Sequence, residues 1–508
     1  MSAPGRPKGE YRSAKHEGIP MSAPRHPERS EGSRRIRRGD PSLPLRMTSV
    51  LTMLVIAGCA VGPNYERPSA LVPAAYKEAT TAAGATWLPA APADALDRGE
   101  WWKLFADDDL SRLAAQINIA NQNVAASVAA YRQAEALVRE ARASLFPTLG
   151  LAASAHRSGG RSVPEKNAFG VSLNGDWAPD LWGKLGRGVE SAVASEQASA
   201  AELGAARLSA QGALATDYFS LREADAEIAL LAKTIEGYER ALQITQNRYA
   251  AGIAPKTDLL QAQTQLLTTR ADLANLRAGR ARFEHAIAVL VGKPPGDFSV
   301  AEATWNQVVP AVPLGLPSAL LQRRPDIAAA QRQVAVANSQ IGIQRSAYYP
   351  NLTLGASIGS SASRIGDLFN ASGLLWSFGV SVAQTVFDAG AIGARVSAAE
   401  AGRDAAVATY RQTVLSAFQG VEDQLASARS LAEQADLRRQ ASDAADQIEQ
   451  QILNRYRAGQ VGYTDVVTAQ ASALAARRAL VQVALNRQAA AIALIVALGG
   501  GWDRIETP

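Results

Sequence analysis

Two stretches of this 508-residue chain repeat one another at a constant offset, and that duplication limits what the chain can fold into more than any other feature. Arg248, Tyr249, Gly252, Thr257, Asp258, Ala262, Gln263 and Gly292 stand 207 residues before Arg455, Tyr456, Gly459, Thr464, Asp465, Ala469, Gln470 and Gly499. Each copy carries a long helical pattern, a tight turn and a second helical pattern. Two copies of one supersecondary unit point to a scaffold or conduit rather than to an enzyme core with appendages.

The helical pattern is a heptad seam. Ile228, Leu231, Ile235, Tyr238, Leu242, Thr245 and Tyr249 alternate steps of three and four. After the turn around Gly252 the seam resumes at Leu259, Ala262, Leu266, Leu273, Leu276, Phe283, Ile287 and Leu290. Its copy runs through Val466, Ala469, Ala473, Ala476, Leu480, Val483, Leu494 and Ala497, and Arg280 and Arg487 interrupt both seams at the same place. A helix over about 187–249 would be on the order of 95 Å long at about 1.5 Å per residue, far beyond a globular helix.

Two short regions alternate strictly and are predicted as β. In the first, about 145–180, Leu149, Leu151, Ala153 and Ala155 alternate with Thr148, Gly150, Ala152 and Ser154; Phe169, Val171, Leu173 and Trp177 then stand against Gly170, Ser172, Asn174 and Asp176. In the second, about 350–387, Leu352, Leu354, Ala356 and Ile358 alternate with Thr353, Gly355, Ser357 and Gly359, followed by Trp376, Phe378, Val380 and Val382 against small residues. Each repeat thus contributes a hairpin with one apolar face and one small, polar face. That pattern fits a lipid-facing barrel and a half-buried soluble sheet alike. An expected absence of any apolar helix long enough to cross a membrane, in an exported chain, favours the barrel. Four strands cannot close one, and open edges are not tolerated in lipid, so several chains must pool their hairpins.

Export is read from the N-terminus. Residues 1–46, with MSAPGRP at 1 and MSAPRHP at 21, are expected to be a disordered extension or an over-extended gene start. Residues 47–58 resemble a lipoprotein signal peptide: Val50-Leu-Thr-Met-Leu-Val-Ile-Ala57 leads through Gly58 to Cys59, the only cysteine. Lipidation of Cys59 after cleavage is the functional expectation; a buried thiol in an uncleaved signal is the alternative. The net charge of +5 dissolves once this segment is set aside, because residues 1–58 hold 11 Lys/Arg against 5 Asp/Glu of the chain's 52 and 47, leaving 41 against 42. Nucleic acid is therefore not expected as a partner.

No catalytic constellation or cofactor site is expected. His16, His26, His156 and His285 are scattered, no Gly-rich phosphate loop is present, and no metal-ligand spacing recurs. His285, beside the seam at Phe283, is expected to be structural. Trp177, Trp182 and Trp376 suit either an interfacial aromatic girdle or ordinary packing.

Together these residues resemble the outer-membrane factors of tripartite efflux systems, the TolC-like and particularly the OprM-like lipoproteins, from Cys59 to about Gly500. The local marks are Cys59-Ala-Val-Gly-Pro-Asn-Tyr65 with Pro68, and Trp101-Trp102-Lys103-Leu104-Phe105 with Asp107, Leu110 and Leu113. Arg323-Arg324-Pro325-Asp326-Ile327 opens the second repeat, Tyr349-Pro350 enters its hairpin and Phe387-Asp388-Ala389-Gly390 leaves it. With the paired Arg-Tyr-x-x-Gly turns, their order and spacing are highly specific.

The resemblance implies a mixed α and β membrane protein: a homotrimer whose pooled strands, four per chain, form a 12-stranded outer-membrane β-barrel joined to a long periplasmic α-helical barrel. Residues 59–300 form the first repeat, 301–500 the second and 501–508 a tail. Small amphiphilic molecules leave passively, driven by an inner-membrane pump of RND type through a periplasmic adaptor. The family places the two turns at the periplasmic tip. There Gly252 and Gly459 end helices, and Arg248, Tyr249, Arg455 and Tyr456 are expected to offer exposed adaptor contacts. Thr257 and Thr464 are expected as N-caps, with Asp258 and Asp465 in acidic first turns; a carboxylate ring gating the lumen is the other reading of the same aspartates. Many OprM-type relatives place an Asp at the position of Thr468, a departure that leaves both readings open. An exit duct for type I protein secretion or metal export, and a lipid-anchored periplasmic coiled-coil adaptor, remain alternatives. The adaptor would carry a single helical hairpin flanked by lipoyl-like β-segments.

Overall fold

The computed structural model describes residues 60–78, 99–311, 323–370 and 373–500, all within the unit Cys59–Pro508. Residues 1–46, the signal segment, Cys59 and the 501–508 tail lie outside the described residues. Seven α-helices and four strands are described: α1 Asp108–Ala120, α2 Gln122–Ala143, β1 Thr148–Gly160, β2 Val163–Trp177, α3 Lys184–Ala250, α4 Lys256–Leu290, α5 Pro325–Arg345, β3 Asn351–Ala362, β4 Leu374–Ala383, α6 Ala391–Arg457 and α7 Tyr463–Ala497.

The duplication holds residue for residue in the helical hairpins. Helices α3 and α6 both have 67 residues and both follow a glycine, Gly183 or Gly390; α4 and α7 both have 35. All four bounds are displaced by 207. Even side-chain contacts recur at that offset: Arg270 Nη2 reaches Glu239 at 2.6 Å, and Arg477 Nε reaches Asp446 at 2.7 Å. The seam lies where the spacing puts it, with Ile228, Leu231, Ile235, Tyr238 and Thr245 buried; Tyr249 alone is exposed at its end. His285 points to solvent from α4 rather than packing.

The strands form one antiparallel sheet in the order β1-β2-β3-β4, the central β2–β3 pair joining the two repeats. Register stacks the apolar positions on one face. Leu151 pairs with Leu173, Leu173 with Ile358 and Ile358 with Trp376; Ala155–Phe169, Leu354–Val380 and Leu352–Val382 extend the same face. The opposite face carries Ser154, Ser172, Asn174, Ser357, Ser377 and the glycines between them. Because side chains alternate with period two, this register gathers the large apolar residues on one face, Leu375, opposite Gly359, being the exception. Leu151, Trp376, Phe378 and Val382 are all more than half exposed on it.

The turns from α2 to β1, β2 to α3, α5 to β3 and β4 to α6 all lie at one end of the sheet. At this base Trp182 donates to Pro350 O at 2.6 Å and stacks on Tyr349, while Trp177 donates to Leu145 O. The opposite ends of the long helices carry the two turns of the repeat. Midway between, α4 ends against the break at Asn121 between α1 and α2, whose side chain donates to Leu290 O and caps α2. The largest apolar cluster fills this level with Trp101, Phe105, Leu110, Ile117, Leu214, Phe219, Ile287 and Ile495.

One expectation fails here. Helix α7 does reach the length and apolarity of a membrane span, with a mean hydropathy of 1.6 over 18 residues. Its apolarity serves packing: Ala491, Ile492, Leu494 and Ile495 are buried, and Gln488, fully enclosed, accepts from Trp305 and donates to Asn306 O and Val308 O.

Candidate functional site: the helical tip and the sheet

Both tip turns are built by the same backbone device. Helix α3 runs out at Ala250; Gly252 takes φ +74°, its N–H bonds Tyr249 O, and Ile253 N–H reaches back to Arg248 O. In α6, Gly459 takes φ +76°, with Gly459 N–H to Tyr456 O and Gln460 N–H to Arg455 O. These paired bonds satisfy the last carbonyls of each helix and need a residue without Cβ in the left-handed region. The glycines are therefore helix stops.

The helices that follow start two residues earlier than the threonines suggest. Their N-caps are Pro255 and Gly462, so Thr257 and Thr464 sit inside the first turn and cap nothing. The cap on α7 is made from within: Gly462 N–H donates to Asp465 Oδ2 at 3.1 Å. Asp258 has no such bond and lies half-buried beside Tyr463. Thr468 is exposed, its hydroxyl donated to Thr464 O.

The expectation of four exposed anchors also needs correction. Tyr249 is 42% exposed and Arg455 is exposed, but Tyr456 is only 3% exposed. Arg248 lies over the Tyr456 ring at 4.7 Å and donates to Tyr456 O at 2.9 Å, while Tyr463 meets the ring edge-on at 5.3 Å. Ala262 and Val466 complete the packing. Identical residues at identical repeat positions thus differ in exposure because the first helical hairpin covers the face of the second that carries Tyr456. Burial, with Tyr456, Tyr238 and the Asp258 carboxylate nearby, pushes the Tyr463 hydroxyl up to about 12.

Above the tip, α3 and α6 frame a groove of about 460 Å³ whose lining includes Lys233, Arg240, Asp446, Glu449, Arg457 and Arg477. Higher still is a buried charge network that heptad reasoning missed. Arg222, 1% exposed, donates to Asp109, Asp225, Tyr218 Oη and Ala301 O, and Arg280 reaches the same Asp225. Arg280 as an interruption of the seam was the available signal, since a charge in an apolar seam requires a buried partner. Glu223, next in sequence and also buried, is raised to about 7 by burial and then by Glu227, against the lowering effect of Arg478.

The N-terminal strap joins the sheet base to this level. Val61 N–H bonds Trp182 O; Arg187 donates to Asn64, Asn338 to Pro63 O and Gln331 to Tyr65 Oη; Lys77 and Glu78 donate their N–H groups to Glu422. Ala60 thereby lies against Gly183 at the foot of the sheet.

A profile of the family described as "Outer membrane efflux protein" matches residues 109–293 and again 316–500, two segments displaced by the same 207 residues. The pyoverdine export outer membrane protein OpmQ of Pseudomonas aeruginosa is 30% identical over 430 residues, covering 82% of this chain and 90% of that protein. The cation efflux system protein CusC of Escherichia coli is 27% identical over 466 residues, 91% and 100% of the two chains. Among solved structures, CusC superposes with a TM-score of 0.78 at 26% identity, over 87% of this chain and all of the other. The outer-membrane channel OprN gives 0.76 at 29%, with the same coverage. Duplicated helical hairpins, a two-faced sheet and these matches agree: the chain belongs to the outer membrane efflux protein family and is an outer-membrane efflux channel of TolC-like fold.

Proposed function

We propose that three copies of this chain form a passive exit duct for small amphiphilic molecules, fed by an inner-membrane RND-type pump through a periplasmic adaptor. The observation that carries this reading is the four-stranded sheet, apolar and exposed on one face, small and polar on the other, and unpaired at both edges β1 and β4. In lipid, every backbone group on those edges must be satisfied. Pairing β4 of one protomer with β1 of the next does so and puts the polar face around a lumen. No methionine follows Met53 and no cysteine follows Cys59, so beyond the lipid-anchored residue itself the duct has no thiol or thioether for soft metal ions, which favours organic cargo over metal export.

The adaptor is assigned to the tip turns and to the charged groove above them. Gly252 and Gly459 shape those turns, and Arg248 and Tyr456 support them from behind. Cys59 is assigned as the lipidated residue, because its neighbour Ala60 lies at the sheet base, where acyl chains would enter the leaflet. Asp258 and Asp465 supply the acidic residues of a ring at the narrow mouth; Thr468 adds no charge to it.

Native mass in mild detergent tests the duct: a trimer is expected, and a folded monomer would overturn it. Conductance then tests the ring. Asp258→Asn with Asp465→Asn is expected to lower cation over anion preference several-fold, and unchanged selectivity would remove both residues from the pore.

A further inference from the structure

Tyr249 and Arg455 have no partner for their side chains among the described residues, yet their repeat equivalents Tyr456 and Arg248 are engaged with one another. The geometry points to a contact that only the assembled duct completes: Arg455 of one protomer stacks on Tyr249 of the next, repeating between chains the Arg248–Tyr456 pair within each chain. This inference rests on the trimeric duct proposed above.

The 207-residue offset carries more than sequence. It reproduces helix lengths, glycine stops and, in the Arg270–Glu239 and Arg477–Asp446 pairs, side-chain contacts within each helical hairpin. Within a chain, the first hairpin presents Arg248 to the second, which presents Tyr456. That interface is heterologous: different faces of one repeated unit meet. A heterologous contact leaves each partner's opposite face open. The second hairpin's open face carries Arg455, and the first hairpin's carries Tyr249.

Closing the ring places the second hairpin of one chain beside the first hairpin of its neighbour. The same face-to-face relation then brings Arg455 over Tyr249, with Tyr249 O, which the glycine turn already holds as an acceptor, in the position that Tyr456 O occupies within the chain. Burying the half-exposed ring under a guanidinium removes apolar surface and adds a cation–π contact. The tip would then be fastened by six Arg–Tyr pairs, three within chains and three between them.

Cross-linking tests the pairing on the detergent-purified protein. Tyr249→Cys with Arg455→Cys, treated with a short bis-maleimide, is expected to yield covalent dimers and trimers on a denaturing gel. The two single variants and the parent, which retains Cys59, are expected to yield none. Cross-links in a single variant equal to those of the pair, or only monomer from the pair while its native mass stays trimeric, would overturn the contact. A parent that is monomeric by native mass would instead overturn the duct itself. A second measurement does not rely on cysteines: Tyr249→Ala and Arg455→Ala should each lower the temperature at which trimers dissociate, and the double variant should fall no further than the worse single. Additive losses would show two unrelated side chains.

Discussion

Arg222 and Arg429 occupy the same position in the two repeats, and their surroundings are opposite. Arg222 is enclosed by Asp109, Asp225 and Tyr218, whereas Arg429 is more than half exposed and pairs with Glu78 of the N-terminal strap. Around them, Tyr218 and Asp225 of the first repeat become Leu425 and Ala432 in the second. The helices are the same; what lies on them differs. The first turn of α1 and the stretch around Ala301 cover one arginine, while the strap passes beside the other. The duplicated backbone therefore decides where a side chain leaves the helix, and the connecting segments decide what it meets.

The sharpest way to break this contrast is Arg222→Met. It strips a buried network of its central cation and leaves Asp109, Asp225 and Tyr218 short of a donor, so a loss of about 3–5 kcal/mol is expected. Arg429→Met should stay within about 1 kcal/mol. Apparent melting temperatures and yields of trimer compare the two, and equal losses would erase the distinction. Glycines divide in the same way. A Cβ on Gly292 would lie 2.2 Å from Ala120 O at φ +70°, so Gly292→Ala should cost roughly 2–4 kcal/mol. At Gly252 the space is open, and Gly252→Ala should cost only about 1 kcal/mol.

Glu223 sharpens the comparison through pH. Its folded value, about 7, lies above the ordinary carboxylate range, so the folded state holds the proton more tightly than the unfolded one. Stability from this group is complete at low pH and is lost as the pH rises through about 7. Glu223→Gln should therefore melt higher than the parent at pH 8, and the two curves should converge in acid; a gap that widens in acid would reverse the assignment. Smallest is Glu422→Gln, which removes one of two acceptors from the strap. The expected effect is about 1 kcal/mol, read as faster proteolysis within residues 60–78.

Much of the architecture was legible in the sequence because it rests on periodicity. The 207-residue offset, the heptad seam and the two alternating hairpins each follow from a local rule, and the strand register then had one solution that kept Leu151, Leu173, Ile358 and Trp376 on one face. What was hidden depends on contacts between distant segments. Nothing near Tyr456 distinguishes it from Tyr249; only the packing of one hairpin on the other does. The threonine caps failed because Pro255 and Gly462 already cap the helices, and the expected lack of any membrane-long apolar helix failed at α7, whose alanines and branched side chains pack within the bundle. The path of the strap, fixed by Glu422 and by Arg187 with Asn64, has no periodic signature.

The equal length of α3 and α6 carries a further consequence. An extra residue in one of them alone would push its end forward by about 1.5 Å and swing it by about 100° about its axis. Arg248 and the Tyr456 ring would then part while the other hairpin stayed in place, and the tip would be skewed rather than lengthened. The two halves are thus free to diverge in chemistry but yoked in measure: insertions are tolerable in matched pairs, and best as whole heptads, which return each side chain to within about 20° of its former bearing.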